Sequence, residues 1–135
     1  MKLIIGGAFQ GKLDYAKAMY GVTEGWIDGG LCRLDEIENC RGIYRFHEYV
    51  KRLLEGKFSG DSLSGLEQQA REFAGALYRR NPDILIVSNE LGCGVVPIEK
   101  EDRLWRETVG RICTCLASEA DEVVRVVCGV GMRLK

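Results

Sequence analysis

The sequence predicts a single α/β domain built on a mainly parallel central sheet with helices on both faces. Short apolar runs alternate with longer amphipathic segments along the whole chain, as they do in consecutive βαβ units. The run at residues 84–87, Ile-Leu-Ile-Val, is unbroken, which is typical of a parallel strand covered on both faces. A chain of 135 residues suits one hydrophobic core, so we expect residues 1–135 to form one domain.

The first half of the chain contains two predicted strands and two predicted helices. Residues 2–5 form a short apolar run that stops at a glycine pair, and a helix is predicted over residues 12–20, with Gly21 as its C-cap. Residues 24–28 are predicted to be a second strand. Acidic side chains at the start of residues 35–55 suit the first turn of a helix, so we predict one continuous helix there.

The second half has the same alternation. Residues 56–60 are predicted to be a loop, and Ser64 opens a capping box for a helix that ends at Asn81-Pro82. The strand at residues 84–87 precedes a helix over residues 101–120. Two further strands are predicted at residues 122–127 and, along an edge, at residues 132–135. The two helices have these predicted buried residues: Leu63, Leu66, Ala70, Phe73 and Leu77 in the first, and Leu104, Trp105, Val109, Ile112 and Leu116 in the second.

Composition excludes several classes of protein. The formal net charge is −1, which gives no electrostatic reason to bind nucleic acid or an acidic membrane. No apolar run approaches the roughly 18 residues of a transmembrane helix, and the N-terminal apolar stretch is too short for a signal peptide. We therefore expect a cytoplasmic protein. Six cysteines without a C-x-x-C pair predict free thiols rather than a zinc site.

A phosphate-binding motif lies between the first predicted strand and helix. Residues 6–12, Gly-Gly-Ala-Phe-Gln-Gly-Lys, match G-x-x-x-x-G-K. The glycines allow backbone N–H groups to form a nest for phosphate oxygens, the helix N-terminus adds positive potential, and the lysine supplies a point charge. A turn that only connects strand to helix is the alternative. The predicted nucleotide-binding residues are Gly6, Gly7, Ala8, Phe9, Gln10, Gly11, Lys12 and Leu13.

Leu13 departs from this motif. The position after the lysine normally carries a Ser or Thr whose hydroxyl binds Mg²⁺, and a leucine side chain has no atom that coordinates a metal. We therefore expect binding of GTP or ATP to be retained, and metal-assisted phosphoryl transfer to be impaired.

A second motif occupies residues 87–97, Val-Ser-Asn-Glu-Leu-Gly-Cys-Gly-Val-Val-Pro. It resembles the V-[ST]-N-E-[VL]-G-x-G-[IV]-V-P signature of the adenosylcobinamide kinase / adenosylcobinamide-phosphate guanylyltransferase family. The Gly6-Gly7 pair also fits the G-G-x-x-x-G-K-S of that family, and the segments around Gly110-Arg111 and residues 120–131 look like its C-terminal pattern. The similarity covers roughly half of the chain. A further family strand, which carries a Glu-Cys pair, is not recognisable in the middle of the sequence.

The resemblance implies a RecA-like P-loop fold with three layers and assembly as a trimer. It also implies two reactions in the nucleotide-loop assembly of cobalamin (vitamin B12). The first is phosphorylation of the hydroxyl of adenosylcobinamide by ATP or GTP. The second is transfer of GMP from GTP to that phosphate through a guanylated histidine.

Three side chains are candidates for the chemistry. His47 is the only histidine and is the candidate nucleophile for GMP, although a packed, hydrogen-bonded histidine is the alternative. Glu90 ends a buried strand, where an unpaired charge is costly, so we predict that it binds metal or orients the acceptor hydroxyl. Asp28 ends the second strand and is the candidate Mg²⁺ ligand, with a turn-capping role as the alternative.

The leading hypothesis is therefore a nucleotide-dependent kinase/guanylyltransferase acting on adenosylcobinamide, with chemistry altered by Leu13. A nucleotide-binding protein without catalysis is the main alternative, and a P-loop kinase for another small hydroxyl substrate is a third.

Overall fold

The computed structural model describes residues 1–56, 63–94 and 96–135. The strands of the described chain are β1 (Lys2–Gly6), β2 (Trp26–Asp28), β3 (Gly42–Tyr44), β4 (Leu85–Asn89), β5 (Glu122–Val127) and β6 (Val130–Arg133). Its α-helices are α1 (Lys12–Tyr20), α2 (Phe46–Gly56), α3 (Leu63–Arg80) and α4 (Lys100–Glu119). Short 3-10 helices lie at Glu36–Glu38 and Leu91–Cys93.

The strands form one six-stranded sheet in the order β2-β3-β4-β1-β5-β6. Strand β1 lies in the interior of the sheet and pairs in parallel with β4 on one side and β5 on the other. Strands β2, β3 and β4 are also parallel to their neighbours, whereas β6 returns antiparallel to β5. The predicted α/β class with a mainly parallel sheet is confirmed, and the carboxyl ends of five strands lie along one edge.

Two apolar layers cover the sheet. On one face, Ala16 of α1 packs with Ile4, Val87 and Val124 of the sheet. On the other face, the larger cluster joins the remaining helices to residues that include Leu3. The alternation of Leu3 and Ile4 between the two clusters is the period-two pattern of a strand buried on both sides.

The predicted helix over residues 35–55 is wrong. The structure instead has the 3-10 helix Glu36–Glu38, then β3, and only then α2. Tertiary contacts override the local helix signal, because β3 pairs with both β2 and β4. A Cβ on Gly42 would lie 2.6 Å from the Trp26 ring, so this glycine is required for that close packing. Arg45 then adopts a φ of 54°, which turns the chain from β3 into α2.

The remaining boundaries need smaller corrections. Strand β2 begins at Trp26 rather than at residue 24, because Gly25 has a φ of 77°, which is outside the strand region. Strand β6 begins before the predicted residue 132, because Cys128 and Gly129 have φ values of 50° and 79° and form a tight hairpin. Helix α4 starts one residue before its predicted position. Helix α3 starts at Leu63, before the predicted N-cap Ser64, so Ser64 occupies a helical position rather than the N-cap.

Some predictions fall on the undescribed parts of the chain. Gly56 is the last residue of α2, and residues 57–60 of the predicted loop lie outside the described residues, as does the side chain of Ser64 in the predicted capping box. In the described ranges, no helix combines the length and the apolar content that crossing a membrane requires.

Candidate functional site

Residues 6–12 connect β1 to α1, and we call them the phosphate loop after their sequence motif. The backbone conformation of this loop requires glycine at two positions. A Cβ on Gly6 would lie 2.4 Å from the carbonyl oxygen of Val126 on the neighbouring strand, so no side chain fits there. Gly11 is the residue before α1 and has a φ of 76°, in the left-handed region that favours glycine. These two conformations bend the chain sharply between strand and helix.

The hairpin between β5 and β6 supports this loop. The Cys128 backbone N–H donates to Oε1 of Gln10 at 2.7 Å, and the Gly129 N–H donates to the Gln10 carbonyl oxygen at 2.9 Å. A Cβ on Gly11 would lie 3.4 Å from the Cα of Gly129. The loop is therefore hydrogen-bonded to a turn that is more than a hundred residues away in the sequence.

Lys12 lies at the start of α1 with its ammonium inside the bend of the loop. The side chain is buried, and Nζ donates to the carbonyl oxygen of Gly7 at 2.5 Å. Burial lowers the pKa of Lys12 below its ordinary value, and the negative charge of Glu90 opposes that shift. An ammonium has three N–H donors, so Lys12 is suited to bridge the loop and a phosphate oxygen.

Two of the predicted nucleotide-binding residues, Phe9 and Leu13, have large apolar side chains. Phe9 is fully exposed and has a φ of 58°, which is uncommon for an aromatic residue. Leu13 is half-buried in the first turn of α1 and presents no oxygen to a metal.

Glu90 follows β4 and lies beside the phosphate loop. Its backbone N–H donates to the Gly6 carbonyl oxygen at 3.0 Å, and its carboxylate Oε2 accepts from Nε of Arg125 at 3.1 Å. Arg125 is on β5, so the ion pair passes across the end of β1, which lies between β4 and β5. The negative charge of Glu90 acts to raise the pKa of Lys12, and the contact with Gly6 places Glu90 beside the loop that precedes Lys12.

His47 is in the first turn of α2 and reaches the same edge of the sheet. Its Nδ1 lies 3.4 Å from the backbone nitrogen of Asn89, and its Nε2 lies 3.2 Å from the Asn89 side-chain amide. Burial lowers the pKa of His47 below its ordinary value of 6.5. Glu48 opposes that shift, whereas Lys12 and Arg45 strengthen it. The imidazole is therefore neutral at pH 7.

Asp28 is the predicted site residue that the structure does not bring to the loop. Strands β3 and β4 separate β2 from β1. The Asp28 carboxylate accepts from the Gly30 N–H at 2.8 Å and from Nη1 of Arg45 at 3.0 Å and 3.2 Å. Burial would raise its pKa, but these bonds and one from the Tyr44 hydroxyl lower it overall. The contacts are those of a carboxylate that caps a turn.

The donor set for Mg²⁺ is correspondingly small. Among the residues that the structure describes, no three His, Cys, Asp or Glu side chains form a metal-binding cluster. Leu13 lacks the usual hydroxyl, Asp28 is paired with Arg45, and Glu90 is the predicted carboxylate that lies beside the phosphate loop. The site residues therefore fit a metal carried by the nucleotide phosphates better than one held by the protein alone.

Three contributors to the site were not predicted from the sequence. Asn89 was within the second motif, but its contact with His47 depends on the position of α2. Arg125 is a charged residue between the apolar residues Val124 and Val126, and that break in the pattern was the available signal. The turn at Cys128 and Gly129 supports the loop through backbone groups, for which side-chain patterns give no signal.

Comparisons with known proteins identify a family for residues 47–134, a range that does not include the loop at residues 6–12. The sequence model of the cobinamide kinase / cobinamide phosphate guanyltransferase family matches residues 47–134. The bifunctional adenosylcobalamin biosynthesis protein CobU of Salmonella typhimurium is 34% identical over 70 residues, which are 52% of this chain and 39% of that protein. The CobU protein of Escherichia coli is 33% identical over 70 residues, with the same shares. The match therefore spans well under half the length of these curated relatives.

The family match covers most of the chain, including His47, the end of β4 and the β5–β6 hairpin. The chain belongs to the cobinamide kinase / cobinamide phosphate guanyltransferase family.

Proposed function

We propose that this protein binds GTP or ATP on the loop at residues 6–12 and transfers the terminal phosphoryl group to the hydroxyl of a cobinamide in cobalamin biosynthesis. The observation that carries the proposal is that one loop contacts both residues: the Glu90 backbone N–H donates to the Gly6 carbonyl oxygen, and Nζ of Lys12 donates to the Gly7 carbonyl oxygen. Family membership supports the choice of acceptor.

The residues of the site have distinct roles in the proposed reaction. The backbone N–H groups of the loop and the ammonium of Lys12 hold the phosphates and offset the negative charge of the transferred group. Glu90 orients the acceptor hydroxyl for attack on the γ-phosphorus, and its ion pair with Arg125 fixes the carboxylate. A bond forms from the acceptor oxygen to phosphorus, the bond to the β-phosphate oxygen breaks and leaves the nucleoside diphosphate, and the hydroxyl proton passes to the Glu90 carboxylate. Mg²⁺ bound with the nucleotide would further neutralise the phosphate charge.

Guanylyl transfer through His47 is the second candidate activity. Its lowered pKa favours it, because a nucleophilic imidazole must be neutral. Both ring nitrogens, however, lie within reach of Asn89, so attack on GTP requires this contact to break. We therefore rank GMP transfer after phosphoryl transfer.

Labelled nucleotides separate these activities. With label in the γ-phosphate, we expect cobinamide to become labelled, and Lys12→Ala to abolish both labelling and nucleotide binding. Lys17→Ala is the matched control, since Lys17 lies on the same helix away from the loop. With label in the α-phosphate of GTP, stable labelling of the protein that is lost in His47→Ala would support GMP transfer. Nucleotide binding without labelled product would contradict both activities.

Leu13 favours the non-catalytic alternative, in which the chain binds GTP or ATP with a regulatory or structural role. That alternative predicts a nucleotide-dependent rise in melting temperature without turnover. In the enzyme, Leu13→Ser should increase the rate of phosphoryl transfer and its dependence on Mg²⁺. If the substitution changes neither, position 13 does not face the metal.

Assembly as a trimer in the cytoplasm completes the proposal, on the basis of family membership. Light scattering coupled to size-exclusion chromatography measures the mass of the assembly, and a mass of about one chain of 15.1 kDa would contradict the trimer.

A further inference from the structure

We propose that His47 is a positioning residue, whose imidazole accepts a hydrogen bond from the Asn89 backbone N–H and thereby fixes Glu90 beside the phosphate loop. The inference rests on the proposed function, because it assigns a role within the same site. It also gives His47 a role different from that of a group that accepts GMP.

The hydrogen-bonding capacity of a neutral imidazole determines how the two residues pair. Such a ring has one acceptor nitrogen and one N–H donor. The Asn89 backbone N–H can only donate, so Nδ1 of His47 accepts and the ring proton is on Nε2. The Asn89 side-chain nitrogen Nδ2 lies 3.2 Å from Nε2, but both nitrogens carry protons in this tautomer, so this contact is not a hydrogen bond. The imidazole thus pairs with the main-chain N–H of Asn89.

Packing from α4 keeps the imidazole in this position. The Trp105 ring stacks on the His47 ring with a centroid separation of 6.2 Å, and its indole N–H donates to the His47 carbonyl oxygen at 2.6 Å. The ammonium of Lys51 lies 4.5 Å from the Trp105 ring centroid. Because His47 is 7% exposed, swinging the ring toward solvent would require these contacts to rearrange.

The backbone at the end of β4 transmits this constraint to the reacting groups. Asn89 is the register partner of Gly6, the first residue of the phosphate loop. The next residue, Glu90, donates its N–H to the Gly6 carbonyl oxygen at 3.0 Å. Displacement of Asn89 would therefore move the Glu90 carboxylate relative to the ammonium of Lys12.

Protonation of His47 would release this constraint. A charged imidazole has donors on both nitrogens, so Nδ1 no longer accepts from the Asn89 N–H. The charged groups that face the ring are Lys12 from α1, Arg45 from the turn after β3, and Glu48 from α2. Two cations against one anion disfavour a third positive charge, which agrees with the neutral state of the ring.

Enzyme kinetics distinguishes positioning from a purely structural role. His47→Asn places a carbonyl oxygen near the position of Nδ1, and we expect it to retain kcat within about threefold while the acidic limb of the pH–rate profile that is due to His47 disappears. His47→Ala should lower kcat by about tenfold, the equivalent of one lost hydrogen bond, with KM for the nucleotide little changed. Ile112→Val, in the core of α4, is the control for lost stability alone. Equal loss of kcat in both His47 variants would overturn the proposal.

Nitrogen NMR tests the pairing without any acceptor substrate. His47 is the only histidine, so its ring signals need no assignment. We expect the proton on Nε2 in the free protein, and Asn89→Ala, which keeps the backbone N–H, should leave that tautomer in place. A proton on Nδ1, or GMP attached to His47, would overturn the positioning role. Absence of cobinamide phosphorylation with the expected tautomer would refute only the proposed function.

Discussion

Replacing Gly6 with alanine tests the close approach on which the shape of the phosphate loop depends. The new Cβ would lie 2.4 Å from the carbonyl oxygen of Val126 and 3.4 Å from its carbonyl carbon. The obstructing atoms belong to the backbone of β5, which is held between β1 and β6. A rotamer change therefore cannot relieve the clash, and β1 and β5 must separate at the beginning of the loop.

The expected cost follows from this geometry. Overpacking against a fixed backbone and the resulting strain each cost on the order of 1–3 kcal/mol, so Gly6→Ala should lower the free energy of unfolding by about 2–4 kcal/mol. In a domain of this size, that corresponds to a fall in Tm of roughly 10 °C. Separation of β1 and β5 would also displace the loop amides. A loss of about 1.4 kcal/mol in the binding free energy of the nucleotide corresponds to a tenfold fall in affinity, and we expect at least that.

Urea denaturation and isothermal titration calorimetry with GTP measure these two quantities. Gly110→Ala is the matched control, because Gly110 is exposed within α4 and its added Cβ would meet nothing within 4 Å. That control should gain about 0.5–1 kcal/mol from helix propensity. A Gly6→Ala protein that matches wild type in both measurements would refute our explanation of the loop.

Three further perturbations have defined outcomes. Phe9→Gly should raise the free energy of unfolding by about 1 kcal/mol, because it removes a side chain from a left-handed backbone position; a lower Tm in differential scanning calorimetry would contradict this. Asn81→Ala should cost about 2 kcal/mol in urea denaturation, because its amide donates to the carbonyl oxygens of Ile37 at 3.0 Å and Cys40 at 2.8 Å, and an unchanged midpoint would show that these bonds are dispensable. The stabilising contribution of neutral His47 should be complete above its unfolded pKa of 6.5 and lost as pH falls through its lowered folded pKa; His47→Asn should reduce this pH dependence, and an identical profile would assign it to other groups.

Local patterns were sufficient for much of the fold. The apolar run at residues 84–87 predicted β4 because a strand buried on both faces needs no polar alternation. Strand β3 was missed because its three residues are too few to show a period, while the acids before them resemble the first turn of a helix. Gly42 was the available warning, since glycine is unfavourable within a helix.

In the candidate site, too, features within one short segment were predicted, whereas contacts between distant segments were not. The phosphate loop and Glu90 were predicted because each belongs to a motif of contiguous residues. The bond from Cys128 to Gln10 joins residues 118 positions apart, and no short pattern encodes it. The proximity of His47 to Asn89 likewise depends on how α2 is placed by β3, which is the element that the sequence analysis missed.

The support of the phosphate loop by the β5–β6 turn has a consequence for biosynthesis. During translation the loop leaves the ribosome before Cys128 and Gly129, which emerge more than a hundred residues later. A nascent chain would carry the complete phosphate-binding motif long before it could bind nucleotide firmly. Under the proposed function, nucleotide affinity would report that the β5–β6 hairpin has docked, and ligand binding would favour chains in which this hairpin has formed.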